Sequence, residues 1–222
     1  MTRIAIMQPY FIPYAGYFRL FTATDLFVAY DCVQFIRRGW IHRNYMQLGS
    51  GETDWLTLPL AKAPQDIKIK NLAFAPDASA RWAEQKRRFP LLADKKNKNS
   101  LLLKTVDALE GTPPEYIEKT LHTACDILGA HFNVVRSSTL AIPEEIKGQE
   151  RILAICEVMK AKHYVNAPGG RELYDSATFK KRNIQLAFLP EYQGSYASIL
   201  HRCLTEEPAV VAQELKAQCQ LS

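Results

Sequence analysis

Residues 3–31 read RIAIMQPYFIPYAGYFRLFTATDLFVAYD, and this stretch decides the fold. Its first five residues, RIAIM, are an apolar run that predicts a short buried strand. A Gln-Pro turn follows, and the aromatic segment from about residue 14 to residue 24 has the pattern of a helix. The run DLFVAYD at 25–31 is apolar on both faces, as in parallel sheets covered by helices. The stretch therefore predicts a βαβ unit.

The alternation of strand and helix continues through the rest of the chain. Apolar runs predict further strands near residues 132–135, 163–165 and 184–189. Residues 40–58 turn at a glycine-containing loop and predict a β-hairpin after the second strand. The alternating IKIK at 67–70 predicts an edge strand with lysines on its exposed side.

The best-defined helix begins after Thr112, which is a good cap, with Pro113 at the first helical position and Glu115 completing a capping box. Gly129 ends it. These patterns predict an α/β fold: a parallel or mostly parallel sheet flanked by helices, a β-hairpin after the second strand and a helical C-terminal part. We expect one domain over 1–222, with a helical sub-lobe at roughly 78–130. Other helical patterns cover 78–88, 99–110, 143–160, 198–204 and 208–218.

Composition limits the class of protein. A chain of 222 residues with 47% hydrophobic content can bury a full core. Its apolar runs are short, and its start lacks the apolar region of a signal peptide, so we expect a soluble, cytoplasmic protein without a membrane span. The net charge of +5 comes largely from two local clusters, which suits an anionic partner and disfavours nucleic acid as the main one. No cysteine pair has the short spacing of a zinc or redox site.

The first candidate site is QPYFIPYAGYF at 8–18, where the first strand ends and a helix begins. Ligands of open α/β sheets bind at the carboxyl ends of the strands, and a helix N-terminus offers backbone N–H groups to an anion. We therefore predict that Gln8, Tyr10 and Tyr17 bind substrate. The alternative is that the prolines shape a turn and the aromatic rings fill the core.

The second candidate site is DCVQFIRRGWIHRN at 31–44, directly after the second strand. Arginines hold phosphate or carboxylate, a tryptophan stacks on a ring, and an acid or histidine moves a proton. The alternative is that its acid and one arginine form a structural pair. The predicted catalytic residues are Asp31 and His42, and the predicted binding residues are Gln34, Arg37, Arg38, Trp40, Arg43 and Asn44.

The third candidate is NAPGGR at 166–171, where Gly169 and Gly170 let backbone amides approach a ligand closely. It lacks the Gly-Lys-Ser/Thr of a phosphate-binding loop and the Rossmann glycine spacing, so a plain strand-to-helix turn is the alternative. No metal-binding or hydrolase motif is present, and we predict no metal site.

These segments resemble the WbqC-like family of bacterial proteins. Residues 8–18 are similar to the family's His-Gln-Pro-x-Tyr-x-Pro-Trp-x-Gly-Tyr-Phe opening, and 31–44 to its Asp-x-Val-Gln-Tyr-x-Lys-x-x-Trp-x-x-Arg-Asn block. Met7 replaces the leading histidine, Tyr14 the tryptophan, and His201 an acid. The resemblance implies a link to O-antigen and other surface-polysaccharide biosynthesis. The opening strand, turn, helix and strand also resemble the nucleotidyltransferases that include pantothenate synthetase.

Three functions fit these observations. The first is a transferase that passes an acyl or aminoacyl group to the amine of a nucleotide-linked amino sugar, with the arginines holding a diphosphate or carboxylate and Asp31 or His42 as general base. The second is ATP-dependent adenylation of a carboxylate, with Gln8, Gly169 and Gly170 near the phosphates. The third is a non-catalytic binding or scaffold protein. The expected partner is a small molecule, a nucleotide with Mg²⁺ is the one cofactor left open, and the oligomeric state is undetermined.

Overall fold

The computed structural model of the chain describes residues 2–219. Its strands are β1 (Arg3–Met7), β2 (Leu26–Ala29), β3 (Arg43–Gln47), β4 (Thr53–Thr57), β5 (Val134–Arg136), β6 (His163–Asn166) and β7 (Gln185–Phe188). Within the described range, five strands form a parallel sheet in the order β5–β2–β1–β6–β7, and β3 pairs with β4 as a separate antiparallel hairpin. The predicted parallel sheet, βαβ unit and hairpin are therefore confirmed.

Helices flank the sheet and form the C-terminal part, as predicted. The α-helices are α1 (Arg19–Thr22), α2 (Ala78–Lys86), α3 (Pro90–Ala93), α4 (Leu101–Asp107), α5 (Pro113–Leu128), α6 (Gly148–Val158), α7 (Ser176–Lys181), α8 (Ile199–Thr205) and α9 (Pro208–Ala217). The predicted cap of α5 is present: the Thr112 N–H donates to Glu115 Oε2 over 2.8 Å, and Gly129 adopts a left-handed φ of 62° after the last turn.

The two faces of the sheet contribute to two separate cores, because side chains alternate along each strand. Ala5 and Phe27 face the larger core, which α1, α5, α8 and α9 complete. Ile4 and Val28 face the opposite way into a second core, formed with α6 and α7. All four side chains are buried. Helices thus cover both faces of the central strands, and the loops at the strand ends are left to form surface cavities.

The β3–β4 hairpin is anchored to the loop that follows β1. The Phe11 N–H donates to the Ile41 carbonyl over 3.0 Å, and Asn44 Nδ2 donates to the Ile12 carbonyl over 2.8 Å. Asn44 is buried. It holds a stretch in which Ile12 adopts a left-handed φ of 39°, which is uncommon for a β-branched residue. The predicted binding residue Asn44 thus lies on the inner face of the hairpin, and its side chain joins the hairpin to the β1 loop.

Two local predictions differ from the structure. Residues 67–70 are not an edge strand: Lys68 makes a single bridge to Gln34, and a 3₁₀ helix, Ile69–Asn71, follows. Ile69 is fully buried, so its apolar side chain packs in the core instead of alternating along a sheet edge. The helix predicted at about 14–24 is split into a 3₁₀ turn, Ala15–Phe18, and the short α1.

Within residues 2–219, no helix combines the length and the apolar character that crossing a membrane requires.

Candidate functional site

A cavity lies where the strand order of the sheet reverses. β1 and β6 are parallel neighbours, but the chain leaves β1 towards β2 and leaves β6 towards β7 on the opposite side. Their loops therefore diverge beyond the carboxyl ends of the strands, and such a crevice is where open α/β sheets bind ligands. A cavity of about 540 Å³ occupies this position, and we call it the switch-point cavity.

The switch-point cavity brings together residues from two of the three predicted sites. The loop after β1 contributes part of one wall, and the loop after β6 contributes part of another. Gln8 and Gly169 are 161 residues apart in sequence (169 − 8), and their loops meet because β1 and β6 are adjacent. Predicted binding residues that line the cavity are Gln8, Tyr10, Tyr17, Gly169 and Gly170.

Packing fixes the β1 side of the cavity. Tyr17 is buried, and its hydroxyl donates to the Gln8 carbonyl over 2.7 Å. The Tyr10 hydroxyl lies 3.4 Å from Gln8 Oε1, and the Tyr10 and Tyr17 rings are 5.4 Å apart. Because these contacts hold both the backbone and the amide of Gln8, this amide is positioned before a ligand arrives.

The β6 side requires glycine for close backbone approach. A Cβ at Gly170 would lie 2.2 Å from Asn166 Nδ2, which is far inside van der Waals contact. Asn166 is buried, and its Oδ1 accepts from the Ala167 N–H over 2.8 Å, so its amide has little room to move. A Cβ at Gly169, in contrast, would meet nothing within 4 Å. Gly170 is thus required for packing, whereas Gly169 faces open space.

Sequence reasoning missed several residues of the cavity. Tyrosine rings form much of its lining, and one wall comes from the segment after β7, which carries Glu191. Asn166 ends β6 and Tyr30 directly follows β2. Their position at the carboxyl ends of parallel strands could therefore have predicted them as site residues. The segment after β7 also follows the carboxyl end of a parallel strand, and it is joined to the β1 side by the bridge between Tyr14 and Ser198 and by the hydrogen bond from Arg19 to the Pro190 carbonyl. The missed lining residues with polar side chains are Tyr14, Arg19, Tyr30, Asn166, Tyr174, Glu191 and Tyr196.

The electrostatics of the cavity favour hydrogen-bond donation to a ligand. Burial raises the pKa of Tyr10, and burial raises the pKa of Tyr30 to about 12, so both phenols stay protonated at neutral pH. The guanidinium of Arg19 is buried and already donates to the carbonyls of Gly16, Pro190 and Gln218. Glu191 supplies a carboxylate at the rim.

Asp31 does not line the switch-point cavity. Its side chain is buried and accepts hydrogen bonds from Ser137 Oγ at 3.0 Å, the Ser138 N–H at 2.8 Å and Ser138 Oγ at 2.7 Å. These bonds join the end of β2 to the loop after β5. A carboxylate that accepts three such hydrogen bonds is held in place by its own loop and its neighbour's.

His42 also lies outside the cavity. Its ring meets the Phe35 ring edge-on at 4.9 Å, and its Nδ1 is buried without a hydrogen-bond partner. Burial, reinforced by the charge of Arg43, lowers the pKa of His42 to about 4. The imidazole is therefore neutral at physiological pH.

This histidine should make stability depend on pH. In the unfolded chain His42 takes up a proton near pH 6.5, but in the folded protein it does so only near pH 4. The contribution of the neutral imidazole to the free energy of unfolding is therefore complete above pH 6.5 and is lost as the pH falls towards 4. Allowing for partial exposure, we expect a loss of roughly 1–2 kcal/mol in the free energy of unfolding. Urea titrations at several pH values should show a shallower dependence in His42→Leu. The exposed His131→Leu serves as control and should behave like wild type.

The remaining predicted residues lie around the hairpin or near a second cavity. Arg37 donates to the Ala63 carbonyl, and Arg43 donates to the carbonyls of Gly39 and Arg38. Gln34 donates to the Gln65 carbonyl over 2.8 Å and lines a separate cavity of about 660 Å³. The structure thus divides the 31–44 segment and does not bring Gln34, Arg37, Arg38, Trp40 or Arg43 to the switch-point cavity.

Among residues 2–219, no three His, Cys, Asp or Glu side chains are grouped as metal ligands would be.

A five-stranded parallel sheet flanked by helices, with its strand order reversing between β1 and β6, defines an α/β protein of the doubly wound class. Residues 8–201 match the WbqC-like protein family, and the chain belongs to that family. The family is associated with polysaccharide biosynthesis. The chain is also similar to the uncharacterized protein Rv1507c of Mycobacterium tuberculosis, with 26% identity over 207 residues, covering 87% of this chain and 84% of the relative. No solved structure matches the chain.

Proposed function

We propose that the chain is a transferase of polysaccharide biosynthesis that binds a nucleotide-linked amino sugar in the switch-point cavity and passes an acyl or aminoacyl group to its amine. The observation that carries the proposal is the cavity itself, because it lies at the position where open parallel sheets bind nucleotides. Membership of the WbqC-like family supports the pathway.

The size and lining of the cavity suit such a ligand. Its volume of about 540 Å³ falls within the range of small-molecule sites, roughly 300–1,000 Å³. Tyrosine rings such as Tyr10 and Tyr174 offer faces for a base or a sugar ring. The amides of Gln8 and Asn166 offer donors and acceptors, and Gly169, which carries no side chain and faces open space, lets a phosphate approach the backbone closely.

The transfer requires an acceptor for one proton. The amine nitrogen attacks the acyl carbonyl carbon, the C–N bond forms, and the bond from that carbon to the donor's leaving group breaks. The nitrogen must lose a proton in this step. Asp31 and His42 were the sequence-based candidates, but neither lines the cavity. Glu191 does, and we assign the proton to its carboxylate.

Adenylation of a carboxylate by ATP is the second candidate. It is favoured by the meeting of Gln8 with Gly169 and Gly170 in one cavity, since that reaction also needs phosphates held at the switch point. Exchange of labelled pyrophosphate into ATP, dependent on a carboxylate, would support adenylation and count against simple transfer.

The test is a thermal-shift screen against nucleoside triphosphates, nucleotide-sugars and amino-sugar derivatives. We expect nucleotide-linked amino sugars to raise the melting temperature, because a ligand that binds only the folded state stabilises it. Gly169→Leu should abolish this rise and leave the unliganded melting temperature within about 2 °C, since the new side chain enters open space. Stabilisation by ATP alone would favour adenylation, and no response to any compound would favour the scaffold role.

Glu191→Gln is the complementary variant for turnover. It keeps the shape of the side chain but cannot take the proton, so the thermal shift should persist while transfer slows by about 10²–10⁴-fold. An unchanged rate would remove Glu191 from the mechanism. Asp31 would then return as the candidate base.

A further inference from the structure

The β3–β4 hairpin has one buried face and one open face. Side chains alternate between them, as in any strand pair. The inner face packs onto the body of the protein: Met46 and Leu56 are buried there, and Asn44 is buried beside them. The outer face is formed by residues paired across the two strands: Arg43 with Thr57, Tyr45 with Trp55, and Gln47 with Thr53.

Three aromatic rings form a continuous cluster on the outer face. Tyr45 and Trp55 are stacked with centroids 3.8 Å apart, and Trp40 lies 5.2 Å from Trp55 and 5.7 Å from Tyr45. Trp40 is 45% exposed and Tyr45 is 37% exposed. We call these three residues the hairpin platform. Exposed aromatic surface of this kind is disfavoured unless it binds something.

The hairpin platform is held rigidly by Arg43. The guanidinium of Arg43 lies over the Trp55 ring at 4.0 Å, and it also donates to the carbonyls of Gly39 and Arg38 over 3.2 Å and 2.6 Å. These carbonyls belong to the turn that carries Trp40. Arg43 therefore holds both Trp55 on the strand and the turn that carries Trp40. Because these groups are already ordered, little conformational entropy is lost when a ligand binds.

We propose that the hairpin platform binds an acidic oligosaccharide. The exposed rings of Trp40 and Tyr45 offer apolar faces to pyranose rings, whereas Trp55 lies between Tyr45 and the Arg43 guanidinium and supports them. Gln47, Thr53 and Thr57 on the same face of the hairpin offer amide and hydroxyl groups to sugar hydroxyls. Arg38 is exposed, lies two residues before Trp40 in the same turn, and is the charge that we assign to a sugar carboxylate.

Charge and polarity favour this ligand over other classes. Single-stranded nucleic acid binds along grooves in which several cations follow the phosphate backbone, whereas Arg43, the cation seated on these rings, lies at one end of the hairpin, paired with Thr57. The inference rests on the proposed function in that an acidic glycan would hold the enzyme beside the polysaccharide that its pathway builds.

The experiment is an isothermal titration of the full chain with a galacturonic acid hexamer, and in parallel with maltohexaose and a dT hexamer. We expect the uronate hexamer to bind most tightly, and Trp40→Ala to weaken it roughly tenfold because one stacking face is lost. Arg38→Ala should weaken it about three- to tenfold and reduce its salt dependence. Leu101→Ala, an exposed apolar truncation on α4, and Arg81→Ala, an exposed arginine on α2, should leave binding unchanged.

The outcomes separate cleanly. No binding of the uronate hexamer by wild type, or equal binding by Trp40→Ala, would overturn the proposal. Equal binding of maltohexaose would refute the acidic specificity, and tighter binding of dT would assign the surface to nucleic acid. Gly169→Leu should bind the uronate hexamer as wild type does, so this proposal and that for the switch-point cavity can fail independently.

Discussion

Asp31→Ala is expected to lower the free energy of unfolding by about 3 kcal/mol. The carboxylate accepts three hydrogen bonds from Ser137 and Ser138, and it is only 2% exposed. Its removal leaves the two Ser138 donors without their acceptor, and it leaves the end of β2 joined to the loop after β5 through Ser137 alone. Chemical denaturation followed by circular dichroism measures this loss.

A control variant and a double-mutant cycle test whether the loss of stability comes from the hydrogen bonds that Asp31 accepts. Asp25→Ala removes an exposed carboxylate at the other end of β2, where it accepts only from the Arg3 N–H, and should cost less than about 1 kcal/mol. A double-mutant cycle between Asp31→Ala and Ser138→Ala should show coupling of about 1 kcal/mol or more. If Asp31→Ala instead keeps full stability but abolishes transfer, Asp31 is the general base and the assignment to Glu191 is wrong.

The fold was predictable from the sequence because its signals are local. The apolar runs of β1 and β2 and the capping box at Thr112 each depend on residues close together in the chain. The rule that ligands bind at the carboxyl ends of parallel strands then marked Gln8 and Gly169 as candidates. The pairing of β1 with β6 is what puts these two loops at one cavity, and pairing between distant strands leaves no local trace.

The 31–44 segment shows why nearness in sequence misleads. Asp31 ends a buried strand and turns inwards, Asn44 points to the inner face of the hairpin, and Trp40 lies on its outer face. Within fourteen residues, side chains thus face the protein interior, the inner face of the hairpin and its outer face. Which face each side chain takes depends on the register of the hairpin and on what covers it, and the spacing of residue types does not contain that information.

Residues 67–70 failed as a strand prediction for a related reason. Strict alternation predicts an extended segment, but a strand also needs a partner over its whole length. Here the pairing is limited to the region around Val33 and Phe35, through hydrogen bonds involving Ile67 and Ile69. The chain then turns into a 3₁₀ helix. The residues do alternate, but whether a long strand lies beside them depends on other parts of the chain.

The largest effect on the C-terminal part is expected from Arg202→Ala, at about 3 kcal/mol of unfolding free energy. Arg202 is buried and forms hydrogen-bonded ion pairs with Glu206 and Glu214, at distances from 2.5 to 3.0 Å, while also donating to the Tyr192 hydroxyl over 3.1 Å. Hydrogen bonds from Arg202 hold the pKa of Glu206 below its usual value. Removing the arginine therefore leaves two carboxylates without their cation.

The matched control is Arg182→Ala, because Arg182 also contacts two glutamates but is 41% exposed. Water and salt replace such surface pairs readily, so its cost should stay below about 1 kcal/mol. Equal losses in the two variants, measured by chemical denaturation, would contradict the buried-network explanation.

Arg202→Ala should also weaken ligand binding, although Arg202 does not line the switch-point cavity. Tyr192, to which Arg202 donates, packs against the rings of Tyr14 and Tyr196 at 5.4 and 5.6 Å, and both of those rings line the cavity. Loss of the network should let this wall move, so that the thermal shift produced by a nucleotide-sugar shrinks in Arg202→Ala and persists in Arg182→Ala. A full shift in both variants would mean that the tyrosine wall is held by packing alone. The ion network would then stabilise α8 and α9 without any influence on the site.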